Sequence, residues 1–406
     1  MEGKRLIRTL RIENFLSYGP GSEEMELQPL NVLIGPNTSG KSNLIEALRI
    51  LRATPKDLAA PIRDGGGVGE WLWKGAKTPP VAEIEATVYY PDGLVPLRYR
   101  VSFTMSGQRL EIVDEVVENE RVTNQSDDDV YFFYRYQSGH PVLNYRTTEA
   151  EPAGTGVGRT QRSLRREDLS PDQSVLSQRK DPDQLPEITY LGNQFADIHL
   201  YTEWVLGRYT PPRIPQKADL PEDFLLEDAS NLGLVLNDLQ QQPDTKRLLL
   251  EYLRRFYEEA QDVTTKIYSG TVQINVHERG LRQPIPATRL SDGTLRYLSL
   301  LTLLCHPSPP PLLCIEEPEL GLHPDVLPTI AELLLEACQR TQIIVTTHSE
   351  ALVSALTEVP EAVVVCSHDD GGTHLRRLEA EPLRKWLDEY SLGELWRKGE
   401  IGGTRW

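Results

Sequence analysis

Gly35-Pro36-Asn37-Thr38-Ser39-Gly40-Lys41-Ser42 is the stretch of this 406-residue chain best suited to chemistry. It fits G-x-x-x-x-G-K-[ST] at every fixed position, follows the apolar run Leu30–Ile34, and leads at once into a helical period. Glycines at 35 and 40 let backbone N–H groups approach phosphate oxygens with no Cβ in the way. A helix starting near Lys41 aims the positive end of its dipole at the same anion. Lys41 would reach the β- and γ-phosphates, and the Ser42 hydroxyl would ligate Mg²⁺. A surface turn with an incidental lysine would lack the strand before it and the helix after it.

Three further groups point the same way. Leu312-Leu313-Cys314-Ile315 ends in the paired acids Glu316 and Glu317, which sets both carboxylates at the end of a buried-type strand. Glu316 would hold Mg²⁺ through its water shell, and Glu317 would act as general base on the attacking water. One helix later, Ile343-Ile344-Val345-Thr346-Thr347 runs into His348, where a γ-phosphate sensor is expected. Ser291 and Gly293, in Leu290-Ser291-Asp292-Gly293-Thr294, open a strongly apolar helix. Ser and Gly at a helix N-terminus suit a phosphate as well as a simple cap.

The elements that must position these groups are legible as periods. Leu44, Ile45, Leu48 and Leu51 make one helical face over 41–53. From 81 to 146 alternating runs broken by Pro-Asp-Gly, Ser-Gly-Gln and Ser-Gly-His predict hairpins. Residues 148–186 are rich in Gly, Ser, Pro and charge, which predicts a mobile insertion; it contains Arg159, Arg162, Arg165 and Arg166. About 220–262 reads as helical, and a hairpin follows near 265–279. The last third alternates helix and strand, as a largely parallel sheet covered by helices requires.

Composition narrows the function. A formal net charge of −17 opposes binding of nucleic acid or anionic membrane over the whole surface. No apolar run is long enough to span a bilayer, and no secretion signal is evident. The four cysteines stand far apart with no C-x-x-C pair, so zinc is not expected and a reduced, cytoplasmic setting is.

Taken together, the Walker A motif (35–42), signature (290–294), Walker B (312–317), following turn (319–324) and switch His348 occur in the order of the ATP-binding-cassette ATPase head. The chain resembles the branch of that family containing RecF, the SMC proteins and the OLD-type ATPases. Leu10-Arg11-Ile12-Glu13-Asn14-Phe15-Leu16-Ser17-Tyr18 is similar to that branch's opening motif. The likeness covers roughly the first 50 and last 120 residues. LSDGT replaces the LSGGQ favoured elsewhere in the family, and Glu316 stands where transporters have Asp. Gln194, after the strand-like Ile188–Leu191, is the Q-loop candidate; a surface glutamine is the other reading.

The resemblance implies an α/β P-loop NTPase with an ABC-type core sheet, an antiparallel β subdomain and a helical insertion. Its expected parts are a discontinuous core (1–60 and 285–406), an antiparallel subdomain (80–146), a flexible insertion (147–187) and a helical, signature-side subdomain (188–284). It also implies ATP and Mg²⁺ as ligands and a homodimer, or larger even assembly, sandwiching ATP. Each site would then take Gly35, Pro36, Asn37, Thr38, Ser39, Gly40, Lys41, Ser42, Glu316, Glu317 and His348 from one protomer. Ser291 and Gly293 would come from the other.

Three outputs stay open. One is an antiphage ATPase of the OLD kind that controls a separate effector, with a nuclease among the candidates. Only about 55 residues follow His348, too few for a TOPRIM nuclease domain. The second is a DNA-repair ATPase of RecF or SMC kind; the four arginines fit either a DNA contact or a solvated flexible loop. The third is a non-catalytic ATP-binding scaffold, against which Glu317 and His348 count.

Overall fold

The computed structural model describes residues 2–123, 129–137, 140–146 and 159–403. Residues 147–158 of the insertion, and the side chains of Arg159 and Arg166, lie outside the described residues.

An antiparallel sheet is built from β1 (Ile7–Glu13), β2 (Met25–Glu26), β4 (Ala82–Val88), β5 (Leu97–Ser106), β6 (Arg109–Asn119), β7 (Phe132–Gln137), β8 (His140–Arg146) and β9 (Arg159–Ser163). Its order is β2-β1-β4-β5-β6-β7-β8-β9. The sheet therefore draws on the chain beyond 80–146: the first strand pairs with β4 and not with the core, and β9 falls inside the expected insertion.

The core sheet comprises β3 (Leu30–Ile34), β10 (Ile198–Tyr201), β15 (Leu312–Glu316), β16 (Gln342–Thr346), β17 (Val363–Asp369) and β18 (Gly372–Arg377). Its order is β10-β15-β16-β3-β17-β18, parallel except for the edge strand β18. Every residue of β3 and β16 is buried, as central strands covered on both faces must be. Alternation divides their side chains between two cores. Val32, Ile315 and Val345 pack with the signature helix Asp292–Leu304, whereas Leu33, Cys314 and Ile344 pack with the P-loop helix Lys41–Ala53 and the antiparallel sheet.

A third small sheet joins β11 (Gln216–Lys217), β12 (Ala260–Tyr268), β13 (Thr271–Glu278) and β14 (Ile285–Pro286). It packs beside helices Leu232–Gln241 and Pro243–Phe256, on the core that holds the signature helix.

Ile188–Leu191, read as strand-like from sequence, is helical. Pro186 occupies the first turn of helix Pro186–Ala196, where its missing N–H is harmless, and Ile188, Leu191 and Phe195 form the buried face. The strand begins only at Ile198.

The two large sheets are bound by one buried amide. Gln342 Oε1 accepts from Leu6 N (3.1 Å) and Ile7 N (2.9 Å), and its Nε2 donates to Ile7 O (2.8 Å) and Gln28 O (3.2 Å). Gln342→Leu strands those backbone groups in the core and is expected to destabilise the protein by about 2–4 kcal/mol. Urea unfolding of the variant beside wild type checks this, and an unchanged midpoint would contradict it.

Candidate nucleotide site

Parallel pairing brings several strand ends to one edge. Thr346 lies between Leu33 and Glu316, and Val365 sits beside Ile34. Each strand therefore leaves the sheet within a residue or two of the others, where ligands of such sheets bind.

The loop after β3 needs its glycines. Gly35 has φ +150° and would drive a Cβ into Cys366 O; Gly40 has φ +94° and would drive one into Thr373. Thr38, at φ 72°, is left-handed without being glycine. Lys41 Nζ donates to Gly35 O (2.9 Å) and Pro36 O (3.0 Å), spanning the loop. Burial lowers the Lys41 pKa, and Cys366, Glu317 and Glu316 oppose that shift. Among the described residues Ser39 Oγ is buried without a hydrogen-bond partner, and a phosphate oxygen would satisfy it. Ser42 stands beside the Glu316 carboxyl, whose pKa burial raises. Those two oxygens suit Mg²⁺ together with phosphate oxygens and water.

Behind the loop, the Asn14–Tyr18 turn clasps the helix start. Tyr18 Oη donates to Gly40 O (3.2 Å), and Asn43 Nδ2 donates to Ser17 Oγ (2.7 Å). Thr373 Oγ1 lies 2.8 Å from Ser17 Oγ and 3.1 Å from Ser39 O. Sequence reasoning missed Thr373, since a threonine after a Gly-Gly turn carries no signal of its own.

Glu317 leaves β15 in the left-handed region, φ 44°, unusual for a residue with a side chain. Three bonds hold it there. Its N–H donates to Thr346 O (3.0 Å), and its carbonyl accepts from Leu320 N (3.1 Å) and Arg296 Nη1 (3.2 Å). Its carboxylate lies 3.7 Å from His348 Nε2. Burial and then Lys41 lower the His348 pKa, which favours the neutral ring.

Glu319 is a second residue that the sequence did not reveal as part of the site. Its Oε1 accepts from Thr347 Oγ1 (2.6 Å) and His348 N (2.8 Å), so it fixes the backbone that carries the histidine. Its Oε2 is buried and has no partner among the described residues.

Ser291 caps the signature helix, accepting from Thr294 N at 3.0 Å, and buried Arg213 grips the turn through Asp292 and Leu290 O. Among the described residues no hydrogen bond joins Ser291 or Gly293 to 35–42. The structure sets them instead against the turn after Walker B, where a Cβ on Gly293 would lie 2.6 Å from Gly321 O.

Gln194 is not brought to the site. It lines a groove with Lys4, Pro309, Pro311 and Arg340, where the parallel strands begin, because the helix carrying it precedes β10. The segment that leaves the sheet beside Glu316 is Thr202–Trp204, since Tyr201 pairs with Ile315. Arg49 Nη2 donates to Thr202 Oγ1 (3.3 Å), and the Arg296 guanidinium lies 5.5 Å from the Trp204 ring centre.

Residues 30–354 match the family described as "AAA domain, putative AbiEii toxin, Type IV TA system". The chain belongs to this AAA family. No curated protein matches it. Among solved structures, an SMC head bound to the C-winged helix domain of ScpA is similar at 15% identity and a TM-score of 0.58, covering 93% of this chain and 99% of that one. An SMC head with an extended coiled coil from Pyrococcus furiosus, bound to the C-terminal domain of ScpA, is similar at 13% identity and a TM-score of 0.55. The alignment covers 95% of this AAA protein and 99% of that chain. Its fold is thus that of the SMC head domains, built around a P-loop.

Gly293→Ala should force the signature helix and the 319–323 turn apart, with a stability loss of about 1–3 kcal/mol measurable by thermal unfolding. A variant as stable as wild type would mean that this contact is slack.

Proposed function

We propose that this protein is an ATP-hydrolysing switch that dimerises around ATP and controls a separate effector, in the manner of a stand-alone OLD-like defence ATPase. The observation that carries the reading is the alignment of Lys41, Ser42, Glu316, Glu317 and His348 along one sheet edge by strand pairing. The toxin–antitoxin wording of the family description supports a defence role, and a nuclease is among the effectors that fit. The likeness to SMC heads favours a second reading, a DNA-linked repair ATPase, to which the exposed Arg162 and Arg165 would contribute phosphate contacts. No helix among the described residues is long and apolar enough to cross a membrane, and we place the protein in the cytoplasm.

In this mechanism the backbone N–H groups of 35–42 and Lys41 bind the β- and γ-phosphates, and Ser39 Oγ completes the cradle. Ser42 and Glu316 would hold Mg²⁺, which would supply charge neutralisation for the phosphates. Glu317 takes a proton from the attacking water. Neutral His348 donates or accepts a hydrogen bond at the γ-phosphate, and Glu319 keeps its backbone in place. Ser291 and Gly293, at the start of the signature helix, make no hydrogen bond to their own P-loop among the described residues, which suits binding to the partner protomer's γ-phosphate. Signature helix and catalytic turn then communicate through Arg296.

The core in this reading is 1–60 with 285–406, joined by an antiparallel subdomain at 80–146, an insertion at 147–187 and a signature-side subdomain at 188–284. β1, β9 and β10 cross those boundaries.

Glu317→Gln should retain ATP binding, lower turnover by about 10²–10⁴-fold and accumulate an ATP-bound dimer. Phosphate release and solution mass, measured on the same samples with and without DNA, check both points. A variant that stays monomeric with ATP would overturn the composite site, and undiminished turnover would remove Glu317 as base. Glu319→Ala should lower kcat about tenfold while leaving ATP affinity near wild type, because it loosens His348 without touching the phosphate cradle. A loss of binding equal to the loss of kcat would assign Glu319 to the cradle instead.

A further inference from the structure

We propose that the antiparallel sheet carries a second binding site, remote from the P-loop, for an organic cation bearing a guanidinium or primary ammonium group. It is a cavity of about 560 Å³ between β6–β7 and residues 167–173, within the size range of small-molecule sites. Ile112, Glu115, Tyr134 and Tyr136 form its inner wall, and Glu167 and Asp168 stand at its rim.

The charge of Glu115 decides the ligand class. Four glutamates are buried among the described residues. Glu85 is flanked by Arg11 and Arg100, Glu118 by Arg98 and Arg135, and Glu187 by Arg146. Glu115, only 2% exposed, has no cation beside it among the described residues. Its bonds come from neutral donors: Tyr99 Oη (2.8 Å) and Ser174 Oγ (2.5 Å) to Oε1, and Val175 N (2.9 Å) to Oε2. Arg179, the neighbouring cation, donates to Asp168 O (3.3 Å) and leaves Glu115 alone. A buried carboxylate without countercharge is unfavourable, and burial accordingly lifts this carboxyl to about 7.

Two further polar groups in the cavity wall lack partners. Tyr134 and Tyr136 are 2% and 8% exposed, and neither hydroxyl makes a hydrogen bond among the described residues. An anion would meet three acids here, and an apolar ligand would leave the phenols without partners and Glu115 without a countercharge. A guanidinium or ammonium group supplies the missing charge, donates to the phenol and carboxylate oxygens, and gains from aromatic neighbours. The cation could be a free amine or the Arg or Lys side chain of a protein partner. Gln173, also in the wall, donates to Asp57 (2.7 Å), four residues beyond the last helical residue of the P-loop helix, so occupancy has a short route toward that helix.

The test is calorimetric titration of the full-length protein slightly above neutral pH with butylguanidine, its neutral isostere butylurea, and a short arginine peptide beside its citrulline counterpart. The expected result is saturable one-site binding of butylguanidine or of the arginine peptide, with the neutral partner of each far weaker. Binding of butylguanidine identifies a small-molecule site, and binding of the peptide alone identifies a partner's side chain. Glu115→Gln should weaken binding about tenfold or more. Tyr134→Phe, which removes one oxygen and keeps the packing, should weaken it severalfold, and it decides the matter should Glu115→Gln fail to fold. The proposal is overturned by no binding of either cation, by equal binding of the neutral isosteres, or by unchanged affinity in a folded variant. None of these outcomes depends on ATP turnover.

Discussion

Register around β16 is the constraint on which the site depends. Because Thr346 pairs with both Leu33 and Glu316, the P-loop, the paired acids and the histidine all emerge from one edge of the sheet. Parallel strands have only slanted, evenly spaced bonds to hold such an alignment, so burial must hold it as well. A one-residue slip of β16 would carry Ile343 and Val345 from the signature-helix core into the P-loop core and move His348 by a full residue. Gln342, at the start of the same strand, anchors it against the first strand of the other sheet.

Past the sheet edge, the geometry rests on hydrogen bonds. The left-handed backbone of Glu317 costs on the order of 1 kcal/mol or more, and it persists because Thr346, Leu320 and Arg296 over-determine it. Arg296 is buried on the signature helix and lies next to Trp204, so one guanidinium touches the Glu317 turn and the segment leaving β10. Two elements about 110 residues apart in sequence thereby share one support. Movement of the signature helix on contact with a partner would be felt first at the Glu317 carbonyl.

The antiparallel sheet does more than cover the P-loop helix. It supplies the Ser17–Tyr18 clasp through its first strand, and it holds buried charges that are arginine-paired except at Glu115. The contrast between those pairs and Glu115 is what marks its cavity as distinct from structural packing.

Local order of residue types was enough to read the phosphate loop, the acid pair and the alternation of buried strands. Those signals come from steric and solvation rules that act over a few residues: glycine where a Cβ would collide, apolar runs where both faces are covered. The helix Pro186–Ala196 escaped that reading because Ile188–Leu191 is apolar in either conformation, and only the proline and the strand beyond it arbitrate. Gln194 failed with it, being placed at the wrong end of the strands. Glu319, Arg296, Thr373 and Trp204 act through contacts that span 21 to 356 residues where they are measured as hydrogen bonds, and no local pattern encodes such partners. Sequence by itself determined that a phosphate loop and a pair of acids exist. Tertiary structure alone decided which backbone each group leans on, because that depends on which strands and helices are packed side by side.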